Sequence, residues 1–218
     1  NSCLDSNTTG ANNTAVGQNA LQSNTQGNSN TALGLGAMYS SSSGGGNVAV
    51  GRLALQTSNS NNNTAVGHLA GNNITSGANN IVMGCNSVAS SATVSNEITL
   101  GDSNITALRC QVTSITALSD ERDKTDIVDL PVGLDFINTI RAVKFKWQTR
   151  EGVPSKDGTI RAGFIAQELQ EASKDCDYLN LVMDDNPDKL EAKQGKLIPV
   201  LVKAIQELSA EVNALKAA

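Results

Sequence analysis

Glycines recur at positions 17, 34, 51, 67, 84 and 101, in steps of 17, 17, 16, 17 and 17 residues. Each closes a short run: Asn13-Thr14-Ala15-Val16-Gly17, Asn30-Thr31-Ala32-Leu33-Gly34, Asn47-Val48-Ala49-Val50-Gly51 and Asn63-Thr64-Ala65-Val66-Gly67. Two looser copies follow, Asn80-Ile81-Val82-Met83-Gly84 and Glu97-Ile98-Thr99-Leu100-Gly101. A fixed period this short means stacked rungs, each contacting only its neighbours, and excludes a conventional globular core.

Within a rung, the apolar run and its glycine lead into a second small run, such as Asn19-Ala20-Leu21 or Leu53-Ala54-Leu55. The remainder is Asn, Ser, Thr and Gly, so the rung reads as strand, turn, short strand, loop. A rung offers little apolar surface, mostly Ala, Val and Leu. At about 25 cal/mol per Å² buried, a single column of such rungs barely offsets its chain entropy. The expectation is that one chain does not close this core. Several parallel chains would each supply a wall, and three is the natural count for a β-prism. These repeats resemble those in the heads of trimeric bacterial adhesins and in bacteriophage tail fibres.

The plan changes at Ser119. Before it, the only bases are Arg52 and Arg109, the only acids Asp5, Glu97 and Asp102, and the only aromatic residue Tyr39. After it, the chain is charged and helix-forming, and nearly all of the net charge of −5 arises there. The 218 residues thus divide into a repeat region, 1–118, and a second region, 119–218.

This composition excludes several function classes. No basic run could neutralise a row of phosphates, which argues against nucleic-acid binding. No apolar stretch is long enough to span a bilayer, so membrane insertion is not expected. Cys3, Cys85, Cys110 and Cys176 have no metal-like spacing and read as reduced thiols. His68 is the only histidine and occupies a repeat position held elsewhere by Gln18 and Arg52, so it reads as a surface residue. No metal or other cofactor is expected. A glycan hydrolase is disfavoured in the repeats, because such enzymes use paired carboxylates. Glu97 and Asp102 instead read as the solvated ends of the last strand. A glycan-facing Asn/Ser/Thr surface and a ligand-free spacer both fit what remains. The N-terminus, Asn1-Ser2-Cys3-Leu4-Asp5, is not a signal peptide and begins inside a repetitive region, so the chain reads as a fragment of something longer.

The second region reads as α+β. Asp129-Leu130-Pro131 predicts a helix start, with Leu134, Ile137 and Ile140 on one face. Val143, Phe145 and Trp147 alternate with Lys144, Lys146 and Gln148, the pattern of a half-buried strand. Ser155 to Gly158 is a polar loop. A short strand and then a helix are expected around Gly163-Phe164-Ile165-Ala166-Gln167-Glu168-Leu169, and Met183 to Gln194 reads as irregular. From Lys196 a long amphipathic helix is predicted. Its Leu201, Ile205, Leu208, Val212 and Leu215 step by 4, 3, 4 and 3, a heptad seam between chains. The residue types on that seam lean toward two strands, a preference an attached three-fold shaft would override. The alternative is a helix packed on its own domain.

At the junction, Ser119 and Lys124 are five residues apart. A serine hydroxyl needs a base to become a nucleophile, and a lysine serves when burial or a nearby cation favours its neutral form. Ser-Lys variants of serine catalysis occur on unrelated folds. Spacing alone is equally consistent with a solvated charged turn.

Context adds to that spacing. Ser119-Asp120-x-Arg122-x-Lys124, then Gly133-Leu134, Val143-x-Phe145-x-Trp147, Gly163-Phe164-Ile165-Ala166-Gln167-Glu168 and the helix from Lys196-Leu197-Ile198 resemble, in order and spacing, the intramolecular chaperone domain of bacteriophage tailspikes and tail fibres. That family is called endosialidase chaperone or peptidase S74. The resemblance implies a repetitive β shaft, as a trimeric intertwined β-prism or β-roll, followed by a small α+β chaperone domain with a C-terminal coiled-coil helix. It implies a homotrimer, made and processed in the bacterial host cytoplasm and destined for the virion tail fibre, with a host-surface glycan or receptor as the partner the shaft would face. It further implies a single-turnover, self-cleaving serine peptidase. The cut bond would be Leu118-Ser119, Ser119 the nucleophile and Lys124 its base, with Asp120 and Arg122 as supporting candidates and Glu168 without a catalytic assignment. The competing expectations are a non-proteolytic trimeric adhesin and a structural fibre module with a trimerisation tag.

Overall fold

The computed structural model describes residues 2–111, 119–148 and 158–217. The chain forms two compact units, Asn1–Leu108 and Arg109–Ala218. The expected loop from Ser155 lies largely outside the described residues.

The first unit is a solenoid. Six three-residue strands, β1 (Thr14–Val16), β2 (Thr31–Leu33), β3 (Val48–Val50), β4 (Thr64–Val66), β5 (Ile81–Met83) and β6 (Ile98–Leu100), form one parallel sheet in chain order. The register is in phase: Ala15, Ala32, Ala49, Ala65, Val82 and Thr99 align, as do Val16, Leu33, Val50, Val66, Met83 and Leu100. The glycine after each strand stacks on the next. A Cβ on Gly34 would lie 2.6 Å from the Gly51 carbonyl oxygen, and its φ of +137° is one that only glycine adopts without strain.

Two expectations are corrected here. The second apolar run of each rung is not a strand. It is a tight turn in which Leu21, Met38 and Leu55 take positive φ, at 52°, 53° and 47°. Ala20 N–H donates to Gly17 O at 3.2 Å and Asn24 N–H to Leu21 O, also at 3.2 Å, closing successive turns. These turns fold each rung back on itself, and that overturns the second expectation. A single chain does close this core: Leu21, Met38, Leu55 and Ile74 are fully buried with Ala20, Ala32, Ala49 and Ala65. The surface estimate counted one wall of the rung, whereas the turn supplies a second.

Asparagines hold the rungs in phase. Asn30 N–H donates to Asn13 Oδ1 at 2.9 Å, Asn47 N–H to Asn30 Oδ1 at 2.9 Å, Asn63 N–H to Asn47 Oδ1 at 2.8 Å and Asn80 N–H to Asn63 Oδ1 at 3.0 Å. Their Nδ2 groups donate to loop carbonyls, as in Asn30 to Gly44 O at 2.8 Å. A buried backbone group without a partner is costly, so this ladder explains why asparagine begins each run. Glu97 takes the asparagine place in the last rung. It is half-buried and accepts from Ser90 N–H and Thr99 Oγ1, so it is not the solvated strand end expected from sequence. Asp102 is also half-buried and accepts from Asn104 N–H.

In the second unit, α1 (Leu134–Thr139) starts later than Pro131, with Gly133 at its N-cap. Strand β7 (Val143–Phe145) pairs antiparallel with β8 (Arg161–Gly163). Trp147 lies beyond β7, more exposed than the alternation predicts, with its ring edge-on to Phe145 at 5.2 Å between centroids. Helix α2 is Ala166–Ala172. The irregular stretch contains a short ladder between β9 (Val182–Met183) and β10 (Glu191–Ala192). Helix α3 (Ile198–Ala217) follows a 3-10 turn at Gln194–Leu197. Phe136, Leu169, Leu179, Leu181, Val182, Leu197 and Val200 form the core.

Candidate functional site

The junction folds around one 3-10 turn, Glu121–Asp123. Asp120 caps it: its Oδ1 accepts from Arg122 N–H at 2.9 Å, the side-chain cap that aspartate commonly provides. The Arg122 guanidinium returns to the same carboxylate, Nε to Oδ1 at 3.0 Å and a terminal nitrogen to Oδ2 at 2.6 Å. These bonds hold the Asp120 carboxyl below its ordinary pKa and push the guanidinium's value up. Lys124 ends the turn in extended conformation, its N–H donating to Glu121 O at 3.1 Å.

The turn reverses the chain enough for Lys124 Nζ to donate to Ser119 Oγ at 2.8 Å and to Ser119 O at 3.3 Å. Ser119, Asp120, Arg122 and Lys124 are therefore gathered in one turn, and all are exposed in the single chain. In the ammonium form the contact is a donation to the hydroxyl. With a neutral amine the same contact runs in reverse, nitrogen accepting the hydroxyl proton, which is the geometry general-base activation requires. Leu118, the other half of the expected cut bond, lies outside the described residues.

The remaining candidates lie elsewhere. Leu201, Ile205, Leu208, Val212 and Leu215 sit on α3 and are all exposed, from 39% for Val212 to 78% for Leu215. Helix α3 also packs on its own domain, but through a different face carrying Val200 and Ala204. Glu168 is engaged by Arg141, Nε donating to Oε2 at 3.2 Å and a terminal nitrogen to Oε1, and these bonds hold its carboxyl below the ordinary value. His68 is taken up within its own column, with Arg52 donating to Nε2 at 2.8 Å and Cys85 Sγ 3.7 Å from Nδ1. Among the described residues, no group of three or more His, Cys, Asp and Glu side chains is placed to hold a metal ion. No described helix is long and apolar enough to cross a membrane.

One residue of the domain escaped the sequence reading. Glu207 Oε2 accepts from Leu134 N–H at 2.7 Å, tying α3 to the first turn of α1. The carboxylate satisfies an otherwise orphan N–H there. The only trace of it in sequence is Gly133, which leaves room for that carboxylate.

No curated protein and no solved structure matches the chain. Residues 119–178, which begin at Ser119 itself, match the family described as chaperone of endosialidase, peptidase S74, so this segment is similar to that family's chaperone domains.

Proposed function

We propose that the chain is the C-terminal part of a phage tail fibre whose region after Ser119 registers three chains, assists folding of the repeat unit, and then releases itself by cutting Leu118-Ser119. The observation that carries this reading is the 2.8 Å contact between Lys124 Nζ and Ser119 Oγ at the first residue of the family match.

The proposed chemistry is an acyl shift. Ser119 Oγ attacks the Leu118 carbonyl carbon while Lys124 Nζ accepts the hydroxyl proton. The C–O ester bond forms, the C–N bond breaks, and the proton passes to the departing Ser119 nitrogen. Water then hydrolyses the ester, leaving a Leu118 carboxylate and a Ser119 with a free amine and a restored hydroxyl. Lysine acts as a base only when neutral, and desolvation favours that form. Packing of further chains over this exposed turn would supply the desolvation, so cleavage would follow assembly.

Folding benefits in the same order. Each rung contacts only the next one, 17 residues on, and buries too little by itself, so loops must close before several stacked rungs offset their ordering. Joining chains through the exposed apolar face of α3 raises their effective concentration. Once the template is cut away, the product is held by a kinetic barrier.

The test is the purified chain on a denaturing gel beside its native mass. Wild type is expected to give two fragments from a trimer, whereas Ser119→Ala and Lys124→Ala give an uncut trimer. Cleavage of the Ser119→Ala chain at Leu118-Ser119 would overturn the nucleophile assignment. A single uncut wild-type band would support the non-proteolytic adhesin or structural module instead.

A further inference from the structure

The residue after each rung glycine belongs to one column: Gln18, Leu35, Arg52, His68, Cys85 and Asp102. None of the six is buried. Three that follow one another, Arg52, His68 and Cys85, bring a guanidinium, an imidazole and a thiol onto successive rungs. Packing does not demand these residue types, because Gln18 and Leu35 hold the same place in earlier rungs.

The hydrogen bonds among them have a fixed direction. Arg52 Nη1 donates to His68 Nε2 at 2.8 Å. A guanidinium has no acceptor, so Nε2 must present its lone pair. A neutral imidazole has one donor and one acceptor nitrogen, so the ring proton sits on Nδ1. That nitrogen lies 3.7 Å from Cys85 Sγ. The sulfur is therefore the acceptor at the end of a donor chain that begins at a cation.

Cys3 shows the opposite polarity. Its Sγ donates to Gly17 O at 2.9 Å, a bond that needs the proton on sulfur. Both cysteines are exposed, so access does not separate them. The direction of the hydrogen bond does. A donor aimed at sulfur stabilises the negative charge that a sulfur nucleophile must carry, and reactive cysteines are exposed ones beside cationic or donor groups. His68 is the only histidine, so no other cysteine of the chain has such a partner.

We infer that Cys85 is a modification site, a surface thiol that His68 and Arg52 position for exchange with small-molecule disulfides. Cys85 Sγ, its proton given to solvent, attacks one sulfur of the disulfide. A new S–S bond forms, the old one breaks, and the second sulfur leaves as a thiolate that takes up a proton. The disulfide is itself the oxidant. The site lies in the first unit and does not involve Ser119, so it stands independently of self-cleavage.

Two full chains test this, one keeping Cys85 and one keeping Cys3, with the other three cysteines replaced by serine in each. The probe is the chromogenic disulfide dithiobis-nitrobenzoate at neutral pH. The Cys85 chain is expected to release the coloured thiol roughly tenfold faster than the Cys3 chain. His68→Leu, which introduces the residue type of Leu35, should bring the Cys85 rate down to that of Cys3. Thermal midpoints by far-ultraviolet circular dichroism should not change, so the rate reports chemistry and not unfolding. If His68→Leu lowers the midpoint, His68→Ala replaces it with the same expectations. A Cys85 rate no higher than that of Cys3, or an unchanged rate without the imidazole, would overturn the assignment. Oxidised glutathione then identifies the product, with one glutathionyl group expected per Cys85 chain by intact mass. A disulfide between two chains in its place would mean that the thiol serves another copy, and the small-molecule assignment would fail.

Discussion

Asp120 receives three hydrogen bonds from Arg122, one from the backbone N–H and two from the guanidinium, all within 3.0 Å. Both side chains are engaged with each other, and the Ser119 hydroxyl is bonded to Lys124 instead. The bonds between Asp120 and Arg122 fix the 3-10 turn that lies between Ser119 and Lys124, so the clasp sets the distance between the proposed nucleophile and the proposed base.

Asp120→Ala should therefore slow self-cleavage by roughly tenfold at neutral pH, because a small displacement of reacting groups has large kinetic effects. The pH dependence separates this positioning role from a general loss of folding. Hydrogen bonds from Arg122 lower the folded pKa of Asp120, so the clasp is complete above the ordinary carboxylate range. It is lost only as pH falls through that lowered value. The half-life of the uncut chain on denaturing gels should differ between wild type and Asp120→Ala at neutral and mildly acid pH. The two should converge only in more acid solution. A constant ratio at every pH would remove Asp120 from the site.

The asparagine ladder predicts a stability effect confined to the first unit. Asn63 is fully buried; its Nδ2 donates to Gly77 O at 2.9 Å, and its Oδ1 accepts from Asn80 N–H at 3.0 Å. Asn63→Ala leaves the Asn80 N–H unpaired in the core, whereas Gly77 O keeps the bond it accepts from Ser60 Oγ. At about 1–3 kcal/mol for an unsatisfied buried group, the loss should be about 1–3 kcal/mol. Thermal unfolding followed by far-ultraviolet circular dichroism should show a lower midpoint, and Asn59→Ala, at an exposed loop position, should change it far less.

Legibility tracked how local the cause was. The period of the glycines is enough to stack the rungs, because a Cβ there meets the next glycine's backbone. Alternation within Val143–Phe145 is enough to place a half-buried strand. The proximity of Ser119 and Lys124 was legible because the turn between them is only a few residues long, whereas their proposed roles rest on the family resemblance. The closed single-chain core was not foreseen, because it depends on Leu21, Met38 and Leu55 entering left-handed φ. That conformation costs a non-glycine residue about 1–2 kcal/mol and is offset only by burial in the finished rung. The delayed start of α1 was missed for a related reason. Its first turn is capped by Glu207, 73 residues away, and no local rule for helix starts contains that information.

That distant cap gives the last prediction. A Cβ on Gly133 would lie 2.7 Å from Glu207 Cδ, so Gly133→Ala must push the carboxylate away from Leu134 N–H. Glu207→Ala removes the same acceptor directly. Each should cost about 1–2 kcal/mol, the usual effect of losing a helix cap. Both changes act through one hydrogen bond, so their effects should not add. Once Glu207 is gone, an alanine at position 133 meets no carboxylate, and the double variant should be about as stable as Glu207→Ala alone. Trp147, the chain's only tryptophan, lies in this unit, so denaturant unfolding followed by its fluorescence reads the affected domain. Additive losses in the double variant would mean that Gly133 serves the helix by some route other than making room for Glu207.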